Sequence, residues 1–369
     1  MNKKKIKIIF FHPYSSIGGA DLSIAKIINN LSSKEYSVDF VCIKRKKNTI
    51  SLNKYVNIHE LKSSKSIFAI FKFREIVKKS LRKNFQKIII FSNQNFANIL
   101  SFLFTIGYRK KLKLIAFERN HICELNFHFN FLDGIKKIIL KGLIKLIYPK
   151  FDKVITNSKE SSKDLSKFIN SNVVTFYNLI KFENIRRKKL RKNKTVNILN
   201  IGRLEKQKDQ ITLLKTVKKL KKNIDVKLII VGSGSQFKNL KDYIYDNNLS
   251  NEVKIFKENL NVKKFYLASD IFVLSSLYEG FPNVLIESII HNLPIISSNC
   301  KSGPDEILLN SKVKNKFKVG DHEDLYQKIM YFIKNKSIFH KNNLILKNNL
   351  SRFESKITLK KYKNLFLKL

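Results

Sequence analysis

Two glutamates, Glu279 and Glu287, stand eight positions apart within Ser275–Cys300, SSLYEGFPNVLIESIIHNLPIISSNC. The apolar run Asp270–Ser276, DIFVLSS, predicts a strand that ends just before the first of them. A helix beginning near Asn283 would carry the second roughly 6 Å along its axis, at about 1.5 Å per residue. One carboxylate is then held over a helix N-terminus and the other rides on the helix. Free backbone N–H groups and the partial positive charge at a helix N-terminus suit a diphosphate. Carboxylates beside such a site suit the gripping of hydroxyl groups, as a sugar presents them.

The rest of the chain reads as scaffold for such a site. With 369 residues, 43% hydrophobic and 11% aromatic, it is long enough for two domains with real cores. Apolar runs predict strands at Lys5–Phe11, Val38–Ile43, Lys87–Phe91, Leu112–Phe117, Lys153–Asn157 and Val173–Tyr177. Helical patterns alternate with them, at Ala20–Leu31, Ile67–Arg82, Phe96–Ile106, Gly134–Ile147 and Glu160–Ile169. Alternation of this kind predicts a parallel sheet. Gly18-Gly19 between the first strand and first helix would let the backbone approach a phosphate, although the full GxGxxG spacing is missing. The charge run Lys181–Lys194, KFENIRRKKLRKNK, reads as a linker. A second set follows: strands Val196–Ile201, Val226–Val231, Val253–Phe256, Asp270–Ser276 and Pro294–Ser298. The helices between and after them are Ile211–Leu220, Phe237–Tyr245, Val262–Leu267, the one from Asn283, and helices from His322 onward.

The run Tyr266–Cys300 resembles the donor-site motif of the retaining glycosyltransferases of family four, E-x7-E within EGF-P/G-x-V-x-x-E and then an LP strand entry. The segment Ile201–Asp209 is similar to that family's GRL-x-x-x-K loop. The resemblance implies an α/β, GT-B architecture: two facing, Rossmann-like, doubly wound domains with the chemistry in the cleft between them. Residues 1–180 would form the acceptor domain, 181–194 the linker and 195–350 the nucleotide-sugar domain. The tail 351–369, RFESKITLKKYKNLFLKL from Arg352, would be a helix crossing back to the first domain. The activity implied is retaining hexosyl transfer from a nucleoside-diphosphate sugar, a UDP-sugar favoured, without a cofactor. No DxD motif stands in a suitable place, and Asp321-His322-Glu323-Asp324 reads as a capped helix start, so a metal-independent reaction is expected.

By the same resemblance Glu279 grips the hydroxyls of the donor sugar and Glu287 the ribose, with Gly280, Phe281, Pro282, Asn283 and Val284 around the donor. Gly202 lets the loop approach, while Arg203 and Lys208 form the clamp for the charge that develops on the leaving diphosphate. Phe117-Glu118-Arg119-Asn120-His121 resembles the ERN segment of members that build bacterial surface polysaccharides. His121 is expected to face the cleft as a catalytic residue, with Arg119 and Asn120 near the acceptor. Gly232-Ser233-Gly234 resembles the family's G-x-G turn, Tyr177–Ile180 its exit to the linker and Ser302–Ile307 its SGP-x-EI variant. All three read as structural. Two departures stand out. Lys257 follows Phe256 where the family has Gly, and His291-Asn292 replaces the commoner Cys-Gly, a place where Asn can still take the left-handed C-cap conformation.

The charge is +45, from 73 basic and 28 acidic residues. It calls for an anionic partner, but an excess of lysine, asparagine and isoleucine is also what an AT-rich genome encodes. A nucleic-acid-binding protein would show a recognisable module and aromatics interleaved with cations on one face, and neither is found. A GT-B epimerase acting on a UDP-sugar would carry a different donor motif. In Gly134–Ile147, GIKKIILKGLIKLI, Ile135, Ile138, Ile139, Leu143 and Ile147 are expected on one face and Lys137, Lys141 and Lys145 on another, the pattern of a helix lying on anionic lipid. Lys78, Lys79, Arg82 and Lys83 add to the basic surface. The partners expected are a nucleotide sugar, a lipid-linked glycan on polyprenol diphosphate and an anionic membrane. Three dispersed cysteines suggest no disulfide framework, and the N-terminus reads as a strand rather than a signal peptide. The location expected is cytoplasmic, peripheral on the inner face of the cytoplasmic membrane.

Overall fold

A computed structural model describes residues 5–15, 19–45, 50–62, 68–180, 182, 185, 194–257, 261–309 and 313–369. Gly18 lies outside them, as does the stretch 181–194 apart from Phe182, Ile185 and Lys194. The chain divides into two compact units, Met1–Ile180 with Phe353–Leu369, and Lys181–Arg352.

The first unit is built on strands β1 (Ile6–Phe11), β3 (Tyr36–Cys42), β5 (Asn57–Glu60), β6 (Lys87–Asn93), β7 (Lys113–Glu118), β8 (Lys153–Thr156) and β9 (Val173–Thr175), with a two-stranded ribbon of β2 (Tyr14–Ser15) and β4 (Lys44–Arg45) beside them. The seven form one parallel sheet in the order β5-β3-β1-β6-β7-β8-β9. Helices α1 (Gly19–Asn29), α2 (Ala69–Leu81), α3 (Asn95–Phe104), α4 (Phe131–Ile147) and α5 (Lys159–Ile169) cover it. All six side chains of β1 are buried, because a parallel strand with helices on both faces has no wet side. One face packs against α2, α3, α4 and α5 through Phe73, Val77, Phe104, Ile144 and Leu165. The other receives α1 and the C-terminal helix, Ser355–Lys368, whose Tyr362 and Phe366 are fully buried among Phe91, Phe117 and Phe176.

Strand β5 is absent from the sequence reading. Its four residues, NIHE, are half-exposed or exposed at the sheet edge, so neither an apolar run nor clean alternation marks it. Helix α4 also departs from expectation. Ile144 and Ile147 are buried and Leu140 and Leu143 pack beside them, whereas Phe131, Leu132, Ile135, Ile138, Ile139 and Leu146 are exposed. Ile135, Ile138 and Ile139 therefore do not share a face with Ile147. Of the expected lysine stripe, Lys137 ion-pairs with Asp133 at 3.0 Å and Lys141 donates to Asn126 Oδ1 at 2.8 Å, while Lys145 is exposed.

The second unit has six parallel strands in the order β12-β11-β10-β13-β14-β15. They are β10 (Val196–Ile201), β11 (Val226–Val231), β12 (Val253–Phe256), β13 (Ile271–Leu274), β14 (Ile295–Ser298) and β15 (Lys316–Phe317). Helices α6 (Gln210–Leu220), α7 (Phe237–Asp246), α8 (Val262–Ala268), α9 (Asn283–Ile290), α10 (Pro304–Leu308), α11 (His322–Lys334) and α12 (Lys336–Asn348) surround them. Its core joins β10, β11 and β13 to α6, α7 and α11 through Leu213, Val217, Leu240, Leu325 and Ile329. Asp321 caps α11 by accepting from the backbone of Glu323 and Asp324, and Asn292 closes α9 at φ +53°. Each sheet is of the doubly wound Rossmann type. In the second, the chain leaves β10 toward β11 on one side and reaches β13 on the other, so strand order reverses between β10 and β13. Ligands of open α/β sheets bind outside the carboxyl ends of strands at such a reversal.

Candidate donor-binding site

The loops leaving β10 and β13 meet at this reversal, and they carry Arg203, Lys208 and Glu279. The β13 loop is sewn to the β10 loop at three points. Leu277 N donates to Gln207 O at 2.8 Å, Gln207 Nε2 donates to Tyr278 O at 2.9 Å, and Ser275 Oγ donates to Lys208 O at 2.7 Å. Gln210 Nε2 holds Arg203 O at 3.0 Å, and the Arg203 guanidinium donates from Nη2 to Gln207 Oε1 at 3.1 Å while staying exposed. The two loops therefore form one braced platform.

On it, Lys208 Nζ lies 2.5 Å from Glu279 Oε1, and Ser276 Oγ donates to the same oxygen at 2.6 Å. The lysine and glutamate side chains are only 15% and 7% exposed. Both contacts fall on Oε1, so Oε2 has no protein partner among the described residues. A carboxylate held at one oxygen by a cation and a hydroxyl keeps its second oxygen as an acceptor for a ligand hydroxyl. Gly280, Phe281 and Pro282 are buried behind it, and Asn283 and Val284, half-buried, begin α9. Ser302 Oγ donates to Gly280 O at 2.8 Å. Gly303, at φ +83°, lies so close that a Cβ there would stand 2.4 Å from Pro282 Cδ.

The G-x-G turn after β11 buttresses the same platform. A Cβ on Gly232 would fall 1.9 Å from Gly202 O, and one on Gly234 would fall 2.3 Å from Leu204 O. Leu204 N donates to Ser233 O at 2.9 Å, and Glu205 accepts from Ser235 N and Oγ at 3.0 and 2.6 Å. Gly202 itself faces only the Lys208 stem, 3.5 Å from where its Cβ would be.

Glu287, half-buried on α9, stands apart from the Lys208–Glu279 pair in its bonding. Its Oε2 accepts from Tyr266 OH at 2.8 Å. Sequence reasoning assigned no role to Tyr266, Ser276 or Gln207, because nothing in their spacing tells which buried polar group a fold will aim at a carboxylate.

The candidate residues of the first unit do not form an open site. His121 is 1% exposed, its Nδ1 accepts from Cys123 N at 3.1 Å, and its Nε2 lies 3.0 Å from Asp164 Oδ2. His121 is thus buried inside the unit, with Nδ1 hydrogen-bonded and Nε2 beside a carboxylate. Arg119 is 5% exposed and donates to Asn93 Oδ1, Ser23 Oγ and Asn178 Oδ1 at 2.7–2.8 Å, stacked over the Phe117 ring. Burial pulls its guanidinium down to about 10, against the opposing charges of Tyr362, Asp21 and Glu118, so it stays cationic at neutral pH. Asn93 in turn donates to His12 Nδ1, and His12 Nε2 meets Asp21 Oδ1, each at 3.0 Å. Arg119 thus ties the ends of β6 and β7 to α1. Asn120 donates to Glu124 Oε2 at 2.6 Å and is half-buried. Gly19 begins α1 in open space: a Cβ there would meet nothing within 4 Å, so packing does not require glycine.

Residues 181–350 match the family model for glycosyl transferases group 1. An uncharacterized glycosyltransferase of Methanocaldococcus jannaschii is 30% identical over 284 residues, 71% of this chain and 68% of the relative. The N-acetylgalactosamine-N,N'-diacetylbacillosaminyl-diphospho-undecaprenol 4-alpha-N-acetylgalactosaminyltransferase of Campylobacter jejuni is 28% identical over 86% of this chain and 87% of its own. Among solved structures, Anabaena HepE in complex with UDP and glucose superimposes with a TM-score of 0.78 at 16% identity, over 98% of this chain and all of the other. The fold is that of the GT-B glycosyltransferases. The chain belongs to the glycosyl transferases group 1 family.

Proposed function

We propose that the protein is a retaining glycosyltransferase that moves a hexose or N-acetylhexosamine from a nucleoside-diphosphate sugar, a UDP-sugar favoured, to a hydroxyl of a lipid-linked glycan on polyprenol diphosphate. The observation that carries the donor half is the Lys208–Glu279 pair on the braced platform at the strand-order reversal. As the glycosidic bond to the diphosphate breaks, negative charge grows on the leaving oxygens. Arg203 is exposed and Lys208 stands on the same loop, so both can follow that charge. Glu279, relieved of part of its lysine, then accepts from a sugar hydroxyl. Positive charge from two side chains is present where a metal would otherwise be needed, so transfer is expected to survive a chelator. Retention follows if the acceptor attacks from the face the diphosphate leaves. UDP is the nucleotide named with HepE, and the acceptor class is the one named for the Campylobacter relative.

Among the described residues no helix is long and apolar enough to cross a membrane. The outward face of α4 supports peripheral attachment to a membrane surface, and we propose that this surface is the cytoplasmic one. Phe131, Leu132, Ile135, Ile138, Ile139 and Leu146 form an apolar strip on one side of the helix, and Lys136 and Lys145, both exposed, border it. At 3.6 residues per turn those lysines fall on opposite edges of the strip, where they reach anionic headgroups while the apolar side chains enter the acyl boundary. Ile138→Asp with Ile139→Asp is expected to lower partition onto anionic vesicles more than about tenfold, since each buried isoleucine contributes about 1.5–3 kcal/mol. Flotation at low and high salt checks this; equal flotation of the variant and parent would remove α4 from the contact.

The function is tested by offering labelled UDP-, GDP- and ADP-sugars with a membrane extract as acceptor, and reading the anomeric configuration of the product. Transfer of label into lipid-linked material with retained configuration is expected. Inversion would overturn the mechanism, and no transfer from any donor, with tight binding to oligonucleotides instead, would overturn the function.

A further inference from the structure

The half-buried carboxylate of Glu287 is not left to find its own orientation. Tyr266, on α8, is fully buried and donates its phenol to Glu287 Oε2 at 2.8 Å. Its ring stacks on His291 with centroids 4.6 Å apart and planes 13° apart, and it also lies near Phe272, at 6.1 Å and 29°. His291 ends α9, and its Nδ1 donates to the backbone carbonyl of Glu287 at 2.7 Å. Two aromatic rings, one bonded to the side chain and one to the backbone of the same glutamate, fix it from both ends. A buried tyrosine hydroxyl must find an acceptor, but a backbone carbonyl would serve that need. Here the acceptor is a carboxylate whose second oxygen, Oε1, has no protein partner among the described residues.

We infer that Tyr266 is a positioning residue of the donor site: its phenol pins Oε2 of Glu287 and so presents Oε1 to a ribose hydroxyl of the nucleotide. This rests on the reading that Glu287 binds the ribose. Burial and the Glu287 charge both hold the Tyr266 phenol well above its ordinary range, so it remains a donor wherever the carboxylate is ionised. A pinned carboxylate has lost its rotamer freedom before the nucleotide arrives, and a hydrogen bond from a ribose hydroxyl to it then discriminates strongly against a nucleotide that lacks the hydroxyl.

The test is calorimetric binding of UDP and GDP and of their 2′-deoxy and 3′-deoxy counterparts to the full-length protein, Tyr266→Phe and Glu287→Gln. The phenylalanine variant keeps the ring and its stacking, and a thermal melt within a few degrees of the parent checks that it folds. The parent is expected to prefer one ribonucleotide over a deoxy form by about tenfold or more. Tyr266→Phe is expected to reduce that preference severalfold while leaving affinity for the deoxy form unchanged, and in turnover to raise KM for the donor with little change in kcat. Undiminished preference in Tyr266→Phe, with the preference lost in Glu287→Gln, would overturn the positioning role and leave the ribose reading intact. Undiminished preference in Glu287→Gln would overturn the ribose reading and the positioning role together, as would a parent that binds neither nucleotide or does not discriminate.

Discussion

Glu279→Gln is expected to lower kcat/KM at least about a hundredfold, a loss of ~2.7 kcal/mol of transition-state stabilisation, with the fold retained. The amide keeps the volume and can still accept from Ser276 Oγ through its carbonyl oxygen, which the parent carboxylate does at 2.6 Å. What it loses is the charge that holds Lys208 Nζ at 2.5 Å, with both side chains almost out of solvent. Lys208 is then left without its counter-ion, which costs stability of a few kcal/mol, and the lysine is no longer set for the diphosphate. Lys208→Met removes the other half of the pair and is expected to cost a similar factor. Because the two act as one unit, the double variant is expected to be little worse than either single one. Steady-state kinetics on all three, with melting curves as the control, check this. Wild-type turnover by Glu279→Gln would remove the assignment of Glu279 while leaving the family and the fold untouched. Additive losses in the double variant would show that lysine and glutamate contribute separately.

How much of this was legible in the chain depends on what each residue had to announce. Strands β10, β11 and β12 fall on the boundaries expected for them, because an interior parallel strand is an apolar run with sharp polar ends. Helix α9 begins at Asn283 as expected, with Pro282 just before it and Glu287 one turn into it. Arg203, Lys208 and Glu279 are on neighbouring loops, and the resemblance of both loops to family motifs was what grouped them. The bracing was not legible. That Gln207 would bridge Arg203 and Tyr278, or that Tyr266 would take Glu287 as its acceptor, depends on loop geometry that no spacing encodes. The N-terminal unit was legible in a different way. Arg119 and His121 follow a strand end and resemble the ERN segment, and the same position lets Arg119 bond Asn93, Ser23 and Asn178 in the interior while His121 lies beside the half-buried Asp164. A strand end is where ligands bind, and it is also where loops must satisfy their own polar groups. Periodicity likewise assigned α4 an apolar face without saying whether the sheet or the solvent would receive it.

Gly232→Ala is expected to be severely damaging. The added carbon would lie 1.9 Å from Gly202 O and 3.0 Å from Gly202 C, both backbone atoms, so no side chain can swing aside to admit it. Relief requires the β10 loop to move outward. That loop is hydrogen-bonded back to the same turn through Leu204 N to Ser233 O at 2.9 Å and Gln236 N to Leu204 O at 2.8 Å. Either those bonds break or strand β11 shifts against β10, with which it pairs from Val196↔Val226 to Ile201↔Val231. Overpacking of this kind costs about 1–3 kcal/mol when the surroundings can yield and more when backbone meets backbone. A loss of about 3 kcal/mol corresponds to a melting transition lowered by roughly 6–12 °C for a unit of this size. Activity is expected to fall further than stability, because the displaced segment carries Arg203 and leads into Lys208, and a shift of about 1 Å in a clamp for developing charge is worth about a hundredfold in rate. Gly202→Ala supplies the contrast, since its Cβ would meet only the flexible Lys208 stem at 3.5 Å and is expected to fold normally. Melting curves and donor kinetics on the two variants separate a requirement for close backbone approach from a general intolerance of the loop. Parent-like melting and turnover in Gly232→Ala would mean that the platform does not depend on that approach.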